Sequence, residues 1–187
     1  MSAIIVIAIS AGGLKPLVRI IEALPANFRA SVFVVQHIGA NPSILPDILN
    51  RHSSLPAAFG RHGAVIERGR IYVAPPDHHM RLGFGAILLD KGPKIHFSRP
   101  AADPLFISAA EAYGKRVVGI VLSGANNDGA EGIRAITGHG GLGLIQDLGE
   151  AEHPEMPLAA LLHDHPETPL RADQIAERIV AHCPSSD

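Results

Sequence analysis

With 47% hydrophobic and 18% charged residues among 187, the chain can fill one sizeable core, and its composition excludes an intrinsically disordered segment. A net charge of −2, without any basic run, gives no electrostatic basis for binding nucleic acid or an anionic membrane surface. The single cysteine, Cys183, can form no internal disulfide, so a reducing, cytoplasmic setting is expected.

The opening "MSAIIVIAIS" has neither the basic lead nor the small-residue cleavage site of a signal peptide. Its apolar run is shorter than the about 20 residues that span a bilayer, so no direct membrane insertion is expected. It reads instead as a strand over 3–9, buried on both faces. In 14–24, Leu14, Leu17, Val18, Ile21 and Leu24 recur at helical spacing, with Pro16 tolerated in the first turn. A second buried strand follows over 31–36, then a helix over 41–50, where "NPS" supplies a cap and an early proline. Short apolar runs broken by Arg-Gly, Pro-Pro, Gly-Phe-Gly and Lys-Gly-Pro mark an antiparallel hairpin excursion from about 63 to 98. Helices over 103–113 and 129–137 each precede a buried strand, at 117–122 and 141–145. "HDHPE", residues 163–167, reads as an exposed loop, 171–182 as a closing amphipathic helix and 183–187 as a frayed tail.

Strand–helix alternation on both sides of the hairpin region gives an α/β fold, a doubly wound, mostly parallel sheet with helices on both faces. No linker composition divides 1–187, so a single domain is expected.

In such a sheet the ligand site lies beyond the carboxyl ends of the strands. Ser10 follows the first strand, His37 the second, and Asp128 lies in the loop after "GIVLSG". Parallel pairing would bring a hydroxyl, an imidazole and a carboxylate to one edge. A serine hydroxyl needs a base to become a nucleophile, an imidazole titrates in the right range, and a carboxylate fixes its tautomer. The order Ser, His, Asp differs from that of α/β-hydrolases, but geometry rather than order defines such a set. The expected geometry has Ser10 Oγ within about 3.2 Å of one His37 nitrogen, looser where no substrate is bound, and Asp128 facing the other. Gly12 and Gly13 permit a tight turn, and backbone N–H groups there or in the Ser123–Asn126 loop are placed to hold an oxyanion.

Each residue also has a plainer reading. Ser10 can cap the first helix or line a phosphate-binding turn, His37 can be a surface histidine, and Asp128 can cap the helix it precedes. "ISAGGLKP" fits neither G-x-G-x-x-G nor the P-loop pattern, which counts against a nucleotide-binding domain. His62, His78, His79 and His96 invite a metal, yet adjacent histidines on a strand point to opposite faces and no ligand spacing appears. No metal and no cofactor are expected, and Cys183 is read as an inert thiol.

Six segments together resemble, in register, the catalytic domain of chemotaxis protein-glutamate methylesterases (CheB-type). "AISAGGLKPL" is similar to that family's nucleophile turn, "VFVVQHI" to the strand carrying its base, and "IYVAPPDHHM" to its Y-x-A-P-x-x-H-H hairpin. "SRPAADPLFISAAEAYG" resembles its Arg-Pro segment and helix, "GIVLSGANNDGAEG" its aspartate loop, and "QDLGEAEHPEMPLAAL" its Gln-Asp and Met-Pro stretch. The resemblance implies Ser10 as nucleophile, His37 as base and Asp128 as the orienting acid. It implies backbone N–H groups of Ala11 and Ala125 as oxyanion donors, with Gly12, Gly13, Arg99, Asn126 and Met156 along the substrate cleft. The implied reaction is hydrolysis of glutamate methyl esters on methyl-accepting chemotaxis receptors, releasing methanol, with deamidation of receptor glutamines beside it. The alternative is a catalytically weak binding or regulatory module in chemosensory signalling.

Three departures from the family pattern stand out. Ser123-Gly124-Ala125-Asn126 replaces the usual Thr-Gly-Met-Gly, which removes a methionine and strains the turn if φ at Asn126 is positive. Glu155 stands where a small residue usually precedes Met-Pro. The chain opens at the first strand with no receiver domain before it, which fits a stand-alone enzyme, a piece of a larger fusion or an expressed fragment, with a separate receiver or chemosensory partner as one route of control.

Overall fold

The computed structural model describes residues 2–164 and 168–183. In chain order the first half runs β1 (Ile4–Ile9), α1 (Leu14–Glu22), β2 (Ser31–Gln36), α2 (Leu45–His52), β3 (Ala57–Phe59), β4 (Ile71–Val73), β5 (His79–Gly83) and β6 (Ala86–Asp90). The second half runs α3 (Ala102–Tyr113), β7 (Val117–Val121), α4 (Ala130–Gly138), β8 (Leu142–Ile145), α5 (Glu155–Asp164) and α6 (Ala172–His182). Six strands form one parallel sheet in the order β3-β4-β2-β1-β7-β8, and β5 and β6 form a separate antiparallel pair.

The unbroken apolar run of β1 follows from its central place, since all six of its residues are buried. Strand pleating sends Ile5, Ile7 and Ile9 to one face, against Leu17, Ile20 and Ile21 of α1 and Ile175 and Ile179 of α6. Ile4, Val6 and Ala8 face the other way, into a core with Leu105 and Phe106 of α3 and Ile133 and Ile136 of α4. Each fully buried aliphatic side chain contributes about 1.5–3 kcal/mol relative to leaving it in water. The chain winds outward from β1 through β2 on one side and through β7 and β8 on the other. The carboxyl end of β1 is therefore the switch point where such sheets open a crevice.

Most expected elements are present with ends shifted by a residue or two. The antiparallel excursion is shorter than 63–98, because Ile71–Val73 returns to the parallel sheet between β2 and β3. A three-residue run, Ile-Tyr-Val, buried throughout, is too short to reveal its period, and Gly69 and Pro75-Pro76 around it read as hairpin punctuation. The helix expected at 41–50 starts at Leu45 with Pro46 in its first turn. Asn41 and Ser43 instead make local turn bonds, Asn41 Nδ2 to Ile38 O at 2.9 Å and Leu45 N to Ser43 Oγ at 3.2 Å. Helix α5 was not apparent from the sequence, and it carries His163 and Asp164 of the expected 163–167 loop in its last turn. Residues 165–167 of that loop and 184–187 of the expected tail lie outside the described residues.

Candidate active site

Register and strand parity build this site. Ile9 pairs with Gln36, and the ladder continues one step further, His37 N donating to Ile9 O at 3.2 Å. Ser10 N donates to Ser123 O, just past β7, at 2.9 Å. Ser10 continues the Ile4–Val6–Ala8 parity of β1, and His37 continues the Phe33–Val35 parity of β2, so both belong to the face that carries α3 and α4. The loop from β7 to α4 delivers Asp128 to that same face.

His37 Nε2 and Asp128 Oδ2 lie 2.6 Å apart, with side chains only 6% and 0% exposed. Asp128 also accepts from the backbone N–H of Ala102 through Oδ2 and from that of Asp103, at 3.0 Å, through Oδ1. It does not cap α4, the helix it precedes, whose N-cap is Gly129. It caps α3. Asp103, in the first turn of α3, returns the arrangement, its Oδ1 accepting from Gly129 N at 3.1 Å and Gly132 N at 2.7 Å at the start of α4. The two helix N-termini thus exchange caps. Burial pushes the Asp128 carboxyl upward, but the bond and charge of His37 and the two N–H donors outweigh it and hold it below the usual carboxylate range. Asp103 goes the other way, raised to about 6 by burial and by the charge of Asp128.

An ionised Asp128 only accepts, so in a neutral His37 the proton sits on Nε2 and Nδ1 keeps its lone pair. Among the described residues no hydrogen bond joins Ser10 Oγ to Nδ1, so the serine side of the expected geometry is the looser one, while Asp128 faces the other nitrogen as expected. Asn126 Nδ2 stands beside Nδ1 instead, at 3.4 Å, while Asn126 Oδ1 accepts from Asp128 N at 2.9 Å and so fixes the amide's orientation. Asn126 is not among the non-glycine residues with positive φ, which are Asp77, His96 and Phe97, so the expected strain at position 126 does not arise.

Ser10 does not cap α1 with its hydroxyl. Its carbonyl closes the turn by accepting from Gly13 N at 3.0 Å, and Gly13 is the N-cap. Gly12 needs its missing side chain, since φ is +73° and a Cβ would lie 2.6 Å from Glu152 Cβ. Ala11 and Ala125 are both exposed, and among the described residues neither backbone N–H makes a hydrogen bond, so both donors remain available. At Gly124 a Cβ would lie 2.0 Å from Met156 Sδ and 2.8 Å from Ser10 Cβ. A buried methionine therefore packs beside the Ser10 turn, supplied by α5 rather than by position 125.

Arg99, expected along the cleft, is tied to the neighbouring loops. Its Nε and Nη2 donate to Asp77 Oδ1 at 2.9 and 2.6 Å, and its Nη1 to Gly92 O at 2.8 Å and Lys91 O at 3.1 Å. With four of its five N–H donors on loop atoms it clamps these segments together, and its guanidinium holds the Asp77 carboxyl below the usual range. The histidines considered for a metal bond to separate partners, His62 to the Leu89 backbone, His78 to Pro76 O, His79 to Pro93 O and His96 to Asp103. His96, Asp103 and Asp128 do bring three ligand-type atoms within 4.8 Å. N–H donors already occupy those carboxylates, so the set does not fit a cation.

Sequence reasoning missed Asp103 and Ser123. Ser123 is fully buried, donates through Oγ to Ala11 O at 2.8 Å and accepts from His153 N at 2.9 Å, tying the Ser10 turn to the approach of α5. The only signal for it was its place directly after a buried strand.

The CheB methylesterase family profile matches residues 5–179. The chain belongs to the CheB methylesterase family. It is 38% identical over 187 residues to a protein-glutamate methylesterase/protein-glutamine glutaminase of Pyrococcus horikoshii, covering 91% of this chain and 50% of that protein. It is 35% identical over 178 residues to a putative protein of the same name from Leptospira interrogans, covering 94% and 92%. The crystal structure of the Thermotoga maritima CheB methylesterase catalytic domain superposes with a TM-score of 0.90 at 31% identity, covering 97% of this chain and 98% of that one. The chain thus spans about half the length of the Pyrococcus relative and nearly all of the Leptospira relative. The family's doubly wound sheet is the fold described above. Among the described residues no helix is long and apolar enough to cross a membrane.

Proposed function

We propose that residues 1–187 act as one catalytic domain, a cytoplasmic serine hydrolase that removes methyl esters from glutamate side chains of methyl-accepting chemotaxis receptors, releasing methanol. The same chemistry would deamidate receptor glutamines. The observation that carries this reading is the buried His37–Asp128 pair at the switch point, with Ser10 on the adjacent strand end and the same face. Ser10 Oγ attacks the ester carbonyl while His37 Nδ1 takes its proton, and Asp128 stabilises the imidazolium through Nε2. The oxyanion gains the free N–H groups of Ala11 and Ala125, each such donor being worth about 3–4 kcal/mol in related hydrolases. The tetrahedral adduct expels methoxide, which leaves as methanol with the proton from Nδ1. A water then repeats the sequence on the acyl-enzyme and restores Ser10.

Methanol release from methylated receptor membranes, with wild type and Ser10→Ala compared, tests this reading. Release by wild type alone is expected, and equal release by both overturns it. A second reading, a receptor-binding module with little catalysis, has the Asn126 amide at His37 Nδ1 in its favour. Rapid covalent labelling of Ser10 by a fluorophosphonate probe would set that reading aside.

A further inference from the structure

Behind the His37–Asp128 pair stands a second imidazole–carboxylate pair. His96 Nε2 lies 3.2 Å from Asp103 Oδ2, and the other oxygen of Asp103 holds the first turn of α4. Asp103 and Asp128 are 4% and 0% exposed, whereas the side chain of His96 is 38% exposed on the tight turn between Ile95 and Ser98. The row His96, Asp103, Asp128, His37 therefore runs from solvent to the basic nitrogen through two buried carboxylates.

We propose that Asp103 is a positioning residue for the His37–Asp128 pair, and that His96 sets from the surface the charge Asp103 presents to that pair. This rests on the reading of His37 as the base. Two physical effects carry it. By gripping Gly129 N and Gly132 N, Asp103 fixes the residue that follows Asp128 and so aims the Asp128 carboxylate at His37. When ionised, Asp103 also adds a second negative charge beside Asp128, which favours the imidazolium formed as Ser10 attacks. When protonated it adds none.

Burial and the Asp128 charge favour the protonated form of Asp103, and a cationic His96 opposes them. Of the other groups around α3, His79 on β5 is bonded through Nε2 to Pro93 O and keeps Nδ1 buried without a partner among the described residues, Arg81 on β5 is paired with Asp90, and Glu131 on α4 is paired with Arg134. The His96 cation is itself partly in solvent and screened, so its main leverage on His37 passes through Asp103.

The experiment uses the full chain and two readouts, the NMR titration of the His37 imidazole and the fluorophosphonate labelling rate of Ser10 across roughly pH 5–9. Asp103→Asn keeps an acceptor oxygen for α4 but removes the charge. It should lower the His37 midpoint by about half a unit or more and reduce the labelling plateau at least about threefold. His96→Gln leaves both carboxylates in place and should keep Asp103 protonated to higher pH. It should follow wild type above roughly pH 8 and fall below it, toward Asp103→Asn, between roughly pH 6 and 8. If Asp103→Asn only lowers the melting temperature, with the His37 midpoint and the normalised pH profile unchanged, Asp103 is a helix cap and the proposal falls. If His96→Gln tracks wild type at every pH, the surface control falls, and this outcome is readable even if Asp103→Asn does not fold. Absence of Ser10 labelling in wild type, with the His37 midpoint still moved by Asp103→Asn, would overturn the nucleophile assignment while upholding the coupling.

Discussion

Replacing Asp128 with asparagine keeps the side-chain shape but turns one acceptor oxygen into an NH2 group. Three donors converge on this carboxylate: His37 Nε2–H and Ala102 N–H on Oδ2, and Asp103 N–H on Oδ1. Whichever way the amide turns, its NH2 opposes a buried N–H. Placed at the Oδ1 position it orphans Asp103 N–H, a penalty of about 1–3 kcal/mol, and the bonds kept at the other oxygen lose their charge assistance. Placed at Oδ2 it forces His37 into the other tautomer, which puts a proton on Nδ1 and abolishes the base. Relief of the repulsion with Asp103 returns part of the loss. The net destabilisation should be about 2–4 kcal/mol, a fall in melting temperature of roughly 5–15 °C for a chain of this size. Ser10 labelling should fall on the order of 10³-fold or more, as a wrong tautomer does in serine hydrolases. The sign with pH follows from the lowered Asp128 carboxyl. Its stabilisation is present above the unfolded value of 3.8 and is lost as pH falls through the lower folded value, so wild type and variant should converge in acid. Urea and thermal unfolding, with labelling measured alongside, make the check. Equal stability at neutral pH together with an unchanged labelling rate would refute this account of the carboxylate.

Gly124→Ala forces a Cβ into Met156 Sδ and Ser10 Cβ, so it should cost about 1–3 kcal/mol in urea unfolding and slow Ser10 labelling. A variant with unchanged stability would show that the α5 start gives way freely. Asn126→Ala removes the amide beside His37 Nδ1 and frees that lone pair, so Ser10 labelling should quicken by about 2–10-fold, while the lost bond to Asp128 N costs about 1 kcal/mol. Slower labelling would show that Asn126 supports the base rather than competing for it. Burial pushes the Cys183 thiol up to about 11, so a disulfide reagent at neutral pH should modify it far faster after unfolding than before. Equal rates in the two states would contradict the burial argument.

The main architecture was legible because β1, β2, β7 and β8 are buried on both faces and carry unbroken aliphatic runs. β3 and β4 were hidden for the opposite reason. At three residues each they are held by the register of their neighbours rather than by a pattern of their own. Helix α5 escaped notice because its small and apolar residues show no polar face. That Ser10, His37 and Asp128 come to one edge was legible from their places after buried strands. The exchange of caps between Asp128 and Asp103 was not, because it depends on two helices separated in sequence arriving with their N-termini side by side. A sequence rule that assigns each cap to the nearest helix gives the wrong partner to both. The position of the Asn126 amide was likewise invisible, since its sequence context raised only a question of backbone conformation.

The shared parity of Ser10 and His37 determines which changes in chain length this scaffold tolerates. Adding one residue within β1 or β2 reverses the facing of everything after it and would send one of the two side chains toward α1 and α6. Adding two restores the facing but pushes the strand end outward by about 7 Å, beyond reach of its neighbour. The connection from β3 to β4 carries no such constraint, because it returns to the amino-terminal edge of the sheet, where Gly69 N donates to Ala30 O at 3.1 Å, whereas the β4–β5 connection is tied to the loop after His37 through Asp77 N and Gly39 O. Insertions and deletions should therefore accumulate there, and a designer has room in that region without disturbing the alignment of the serine and the histidine.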